Sequence, residues 1–141
     1  MSDQRKVIIV PCSGIGKSYG TVSREAALEV TEDSRPGASR LIALSLLVLG
    51  DDEARAAVEA HPVVTIDGCK LACATKMVQE SGGTVAQDFG VLDVYRRYRE
   101  FKPQDIAELN EGGLRLAHAL AEEINVVVDD LTLEDEGNHH A

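Results

Sequence analysis

Short apolar runs alternate along this chain with longer stretches dominated by Ala, Glu and Arg. Val7-Ile8-Ile9-Val10 and Val63-Val64-Thr65-Ile66 are almost continuously apolar and bounded by turn residues. That is the pattern of strands buried on both faces of a parallel sheet, not the strict alternation of a half-exposed hairpin. The segments between such runs are long enough to hold crossover helices. The pattern predicts strands at residues 6–11, 40–48, 63–66 and 84–88, and helices at 17–30, 51–60, 69–81 and 103–124. The apolar run 41–49 also suits a buried helix, but it is read here as strand. Asp51 is an expected N-cap, Pro103 a first-turn proline, and Gly82-Gly83 a helix stop. Gly112-Gly113 is expected to kink or divide the last helix, and residues 31–39 form the most flexible internal loop. The expected fold is α/β, with residues 1–128 forming a single-domain, three-layer Rossmann-like or flavodoxin-like sheet. The sheet is mostly parallel, with about four strands and flanking helices. Residues 129–141, acidic and ending in His139-His140-Ala141, are expected to be a mobile tail.

Composition supports this picture and narrows the function. A chain of 141 residues is one domain's worth, able to bury about two-thirds of its unfolded surface without staples. There is no Trp and aromatics are only 4%, so Val, Ile, Leu and Ala must build the core. The 24 acidic residues outnumber the 14 basic ones, for a net charge of −10, which opposes binding to nucleic acid or to an anionic membrane. The first six residues run into a strand without the apolar region of a secretory signal, and the run 41–49 is about half a membrane span. The expectation is a cytoplasmic protein whose partner is a small molecule or another protein. Three cysteines cannot all pair, and a reducing compartment keeps them as thiols.

Those cysteines carry the candidate chemistry. Cys12 follows the first strand and precedes Ser13-Gly14-Ile15-Gly16; Cys69 and Cys73 follow the third. If 69–81 is helical, Cys69 and Cys73 share one face with Cβ atoms about 5–6 Å apart. In a doubly wound sheet, residues beyond the carboxyl ends of the strands face a common crevice. Helix N-termini pointing into it favour thiolates, helped here by Lys17, Lys70 and Lys76. All three sulfurs converge if the first and third strands are neighbours. Thiolates prefer zinc, copper(I) or iron–sulfur clusters, and three protein ligands leave a tetrahedral position open. Asp67, His61 and His139 or His140 are the candidates for a fourth ligand. The competing reading makes the cysteines small buried hydrophobes, Cys73 within Leu71-Ala72-Cys73-Ala74 above all.

Pro11-Cys12-Ser13-Gly14 with its Gly-containing turn and Arg24-Glu25-Ala26-Ala27, and Ile66-Asp67-Gly68-Cys69 with Leu71-Ala72-Cys73-Ala74, resemble the DGC-domain family. Its members are inferred to bind zinc, are named for an Asp-Gly-Cys motif and have four characteristic cysteines. The similarity spans residues 7–93. It implies a zinc site at Cys12, Cys69 and Cys73, with Asp67 as a fourth group or as a support to the ligands. The chain departs from the family at its remaining cysteine, which falls in an apolar segment before the motif; here that neighbourhood reads Ile42-Ala43-Leu44-Ser45.

Three further readings use the same residues. Cys12, at a helix N-terminus, could serve a metal-free enzyme as nucleophile or redox thiol. The three cysteines could hold an iron–sulfur cluster with an open iron. An interaction module could instead use Tyr95-Arg96-Arg97-Tyr98-Arg99, or the acidic tail, with structural cysteines; the basic cluster is otherwise read as a solvated loop. Whether the chain is an enzyme is left open. Gly14-Ile15-Gly16-Lys17-Ser18 is a defective phosphate loop, since Pro11 stands where the pattern requires glycine. A phosphatase-like Cys12 lacks the oxyanion-holding arginine six residues on, where Ser18 stands. Cys69 and Cys73 are spaced one residue too far for a thioredoxin-type pair. His61 is expected at the surface or capping a helix, and His118 at the edge of the core.

Overall fold

Four strands, β1 (Val7–Pro11), β2 (Ser39–Leu41), β3 (Val63–Asp67) and β4 (Val85–Gly90), form one sheet in the order β2-β1-β3-β4, every pair parallel. The computed structural model describes residues 6–12, 18–68, 72–103 and 110–139. β1 and β3, the two most apolar runs, are buried at every position and occupy the centre. Successive side chains point to opposite faces, so each central strand feeds two cores. Val7, Ile9, Val64 and Ile66 pack beneath α1 (Ser18–Leu28), α5 (Val91–Arg97) and α6 (Glu111–His139). Ile8, Val10 and Val63 pack beneath α2 (Leu44–Leu49), α3 (Asp52–Ala60) and α4 (Cys73–Glu80). The expected three-layer α/β architecture is therefore present, with a wholly parallel sheet. Among the described residues no helix is long and apolar enough to cross a membrane.

The chain runs from β1 outward to β2, then returns past β1 to lay down β3 and β4. The order reverses between β1 and β3, and their carboxyl ends flank the crevice where ligands bind in sheets of this kind. The register pairs Pro11 with Ile66, and the Cys12 N–H donates to the Ile66 carbonyl at 2.7 Å.

Several elements differ from their sequence expectation. The second strand is only three residues long, and the apolar run continues as helix α2, closed by Gly50 in the left-handed region at φ 77°. Residues 29–34 form a π-helical turn extending α1 rather than a loose loop. It is held by Arg35, whose guanidinium donates to both Asp129 oxygens at 2.8 and 3.0 Å. The basic cluster ends a helix rather than lying in a solvated loop, because Val91 and Val94 bury one face of α5; Arg97 there pairs with both Glu123 oxygens at 2.9 Å.

Gly112 and Gly113 lie in the first turn of α6, which begins at Glu111, and the stretch 104–109 that the expected helix would include lies outside the described residues. The Asn110 side chain accepts from the Gly113 N–H at 3.0 Å. A Cβ on Gly112 would stand 2.6 Å from the Lys102 carbonyl oxygen, so glycine there lets residues 101–102 cross the first turn. Beyond Val128, where the sequence reading places a tail, α6 continues to His139, with Val128 buried and Leu131 packed on the core.

Candidate metal centre

Cys12 ends β1's path at the switch point, and only 5% of it is exposed. Its peptide is held on both sides. Its N–H bonds to β3, and its carbonyl accepts from the hydroxyl of the fully buried Ser23 in α1 at 3.0 Å. The Ser23 hydroxyl also lies 2.7 Å from the Gly20 carbonyl.

On the neighbouring strand, Asp67 closes β3 with 6% exposure. One carboxylate oxygen accepts from the Ala74 N–H at 2.8 Å and the other from the Thr75 hydroxyl at 2.7 Å. A buried carboxylate needs such partners, and the unpaired N–H groups of a helix start supply them. Thr65, fully buried one turn of pleat earlier, lies 2.7 Å from the same Thr75 hydroxyl. Gly68 follows, and a Cβ there would meet the Gly20 nitrogen at 3.0 Å and the Tyr19 carbonyl carbon at 3.1 Å. Glycine therefore lets the end of β3 abut the first turn of α1.

Helix α4 opens at Cys73, which is exposed. Its N-cap position is Ala72, at φ 53° and ψ 45°, the one non-glycine residue with positive φ among the described residues. An L-residue there costs about 1–2 kcal/mol. The helix thus begins at Cys73; the face predicted to be shared by Cys69 and Cys73 involves a residue that is not described. Cys69 itself lies outside the described residues, as do Lys17 and Lys70.

A family model, the DGC domain, matches residues 8–112. The chain belongs to the DGC-domain family. Comparison with curated proteins and with solved structures finds no match.

In this DGC domain the first two letters of the motif have separate physical duties. Asp67 fastens α4 to β3 through its amide and hydroxyl donors, and Gly68 admits the backbone of α1. The segment where the family's remaining cysteine is expected also comes to this edge, since the Ile42 N–H donates to the Ile9 carbonyl at 3.0 Å beside the end of β1. Its residues here are apolar or hydroxyl-bearing, with Ile42 and Leu44 buried. His61 caps the end of α3, just before β3 begins, and so occupies the opposite end of the sheet from Cys12. It cannot be the fourth ligand. His139 closes α6, and His140 lies outside the described residues.

Thr65, Thr75 and Ser23 hold the site's backbone, and the sequence reading passes over all three. A hydroxyl inside the apolar run of a fully buried strand was the available signal for Thr65, because a buried hydroxyl requires a partner. Among the described residues no three His, Cys, Asp or Glu side chains group to hold a metal; that set leaves out Cys69. His118, expected at the core edge, is exposed on α6, with Nδ1 2.7 Å from Glu29 and Nε2 2.6 Å from Glu122.

Proposed function

We propose that this DGC domain binds one zinc ion, or a related soft metal, through Cys12, Cys69 and Cys73 at the carboxyl edge of its sheet. The observation that carries this reading is the adjacency of β1 and β3 at the switch point. Cys12 follows one strand by a single residue, and the short path from Asp67 to Cys73 follows the other. The donor set fits a thiophilic ion, as thiolates select zinc or copper(I) over hard cations. When bound, such an ion supplies a Lewis acid with one position open to a small molecule or to a thiol of a partner protein.

Asp67 enters as the residue that holds the cysteine-bearing segment rather than as the fourth ligand, because both of its oxygens already accept hydrogen bonds from α4. The burial of Cys12 favours a ligand over a nucleophile that must meet a substrate from solution. A reducing compartment such as the cytoplasm suits the reading, since it keeps all three thiols free to bind.

The test is elemental analysis of anaerobically purified protein alongside Cys69→Ser and Cys73→Ser. About one zinc per chain is expected in the parent and far less in either variant. Unchanged stoichiometry in Cys69→Ser overturns the assignment. Several irons per chain, with brown colour, would replace zinc by a cluster on the same cysteines.

A further inference from the structure

On the far side of the molecule from α2, α3 and α4, the outer surface of α6 and the segment after α5 line an open groove of about 680 Å³. Its apolar part is made by Ala119 and Val126 of α6 and by the stacked rings of Tyr98 and Phe101, whose centroids are 5.7 Å apart. Leu114 lines this groove and also a second depression, of about 230 Å³, against α1, so the two adjoin at that side chain. Val126 is 59% exposed and Leu114 51%, high for large apolar side chains on a helix whose other face is fully buried.

The second depression is acidic. Glu25, Glu29, Glu32 and Asp33 line it, on α1 and the π-helical turn that extends α1, with the half-exposed Leu28 among them. Glu25 and Glu29 are four residues apart on this helical run, and so are Glu29 and Asp33, a spacing at which like charges repel. Glu32 and Asp33 also stand at the carboxyl end of the run, where the helix dipole is itself negative and the last turn holds no basic residue. The nearby cations are engaged elsewhere: Arg35 with Asp129, Arg97 with Glu123 and Arg115 with Glu111, while His118 lies between Glu29 and Glu122. Among the described residues Glu25, Glu32 and Asp33 are in no ion pair. An apolar trough bordered by carboxylates without cationic partners is complementary to an amphipathic helix that carries Lys or Arg beside its apolar stripe. Such a helix is about 10–12 Å across, so one lying along α6 reaches the aromatic side and the acidic side together. A second copy of this chain, with the same acidic depression and a net charge of −10, lacks that complementarity.

We propose that this face docks a basic amphipathic helix of a partner protein, with its apolar stripe on Val126, Ala119 and the Tyr98 and Phe101 rings and its Lys or Arg side chains over Glu25, Glu32 and Asp33. Cys12, Asp67 and Cys73 line neither depression, so docking stands or falls independently of metal binding.

The test is fluorescence anisotropy of a labelled amphipathic peptide of about 18 residues, made of Leu and Lys, titrated with the full chain in reducing buffer. Saturable binding is expected, with a Kd of about 10 μM. Val126→Glu, and separately the triple change Glu25→Lys, Glu32→Lys and Asp33→Lys, should each weaken it about tenfold or more while leaving the circular dichroism spectrum unchanged. The triple change Glu59→Lys, Glu80→Lys and Asp88→Lys alters the net charge equally but lies on α3, α4 and β4, and should leave the Kd within about twofold. Equal weakening by both triple changes overturns the proposal, since the peptide would then respond only to the overall charge. So does equal affinity for a peptide with Ser in place of every Leu, which would leave the groove unused, and so does no binding at about 200 μM protein. Sedimentation equilibrium completes the test: a dimer dispersed by Val126→Glu would give the groove to a second copy and overturn the proposal as well.

Discussion

Helices α3 and α4 lie on the same face of the sheet, are of nearly equal length, and begin in opposite ways. At α3 the N-cap is Asp51, whose carboxylate accepts from the Ala54 N–H at 2.9 Å, three residues on. At α4 the residue in the N-cap position is Ala72, which has nothing to offer, and the carboxylate comes from Asp67 across a segment of the chain. A local cap asks nothing of the residues around it. A remote cap ties the end of β3 directly to the start of α4, and Cys69 lies between those two points in sequence. The left-handed backbone of Ala72 is the visible strain of that arrangement.

The largest effect should come from removing the remote cap. Asp67→Ala leaves the Ala74 amide without its acceptor and removes one of the two partners of the Thr75 hydroxyl, at a position only 6% exposed. Bonds to a charged, buried acceptor are the strong kind, and about 3 kcal/mol should be lost, read as a lower midpoint in urea. Asp51→Ala removes one bond at an exposed helix start and should cost about 1 kcal/mol, the ordinary value of an N-cap. Equal losses at the two positions would erase the contrast. Zinc content sharpens it further: on the proposed reading it falls with Asp67→Ala and is untouched by Asp51→Ala.

Ala72→Gly has the opposite sign. Glycine visits the left-handed region without a Cβ penalty, at the cost of a more flexible unfolded chain. The relief of strain should exceed that cost slightly, for a gain of about 0.5–1 kcal/mol. If the variant is instead destabilised, the positive φ of Ala72 is not strain imposed by the remote cap.

The same contrast explains what was legible in the sequence. Asp51 was, because an N-cap is a rule about neighbours in sequence, and so was the stop at Gly82, which sits at φ 89°. Four strands were, because β1 and β3 declare themselves as unbroken apolar runs. The run 41–49 was misleading in its second half. Leu46, Val48 and Leu49 are partly or largely exposed on a short helix, so apolarity there does not report burial, and no periodicity separates strand from helix over so few residues. Helix α5 announced itself only through Val91 and Val94, two residues at helical spacing. In the site, Cys12 and the Asp-Gly-Cys motif could be placed at strand ends from the sequence, but nothing local says that β1 and β3 are neighbours or that Asp67 reaches Thr75. Those facts belong to the strand order and to contacts between elements.

His118 supplies the smallest effect and the control for burial. Its ring nitrogens lie 2.7 and 2.6 Å from Glu29 and Glu122, as short as the bonds to Asp67, but its side chain is 61% exposed. The hydrogen bond it donates to Glu29 raises its pKa above the usual 6.5, slight burial opposes this, and the charges of Glu29 and Glu122 add to the rise. A raised folded-state pKa gives a contribution that is complete below about 6.5 and disappears as pH climbs through the higher folded value. Solvent screening limits it to about 0.5 kcal/mol. The unfolding free energy from urea titrations should fall by that amount between about pH 6 and pH 9 in the parent relative to His118→Gln. A pH-dependent loss rivalling that of Asp67→Ala would mean that short distance alone sets the strength of these contacts. The difference between α3 and α4 would then need a cause other than the burial of Asp67.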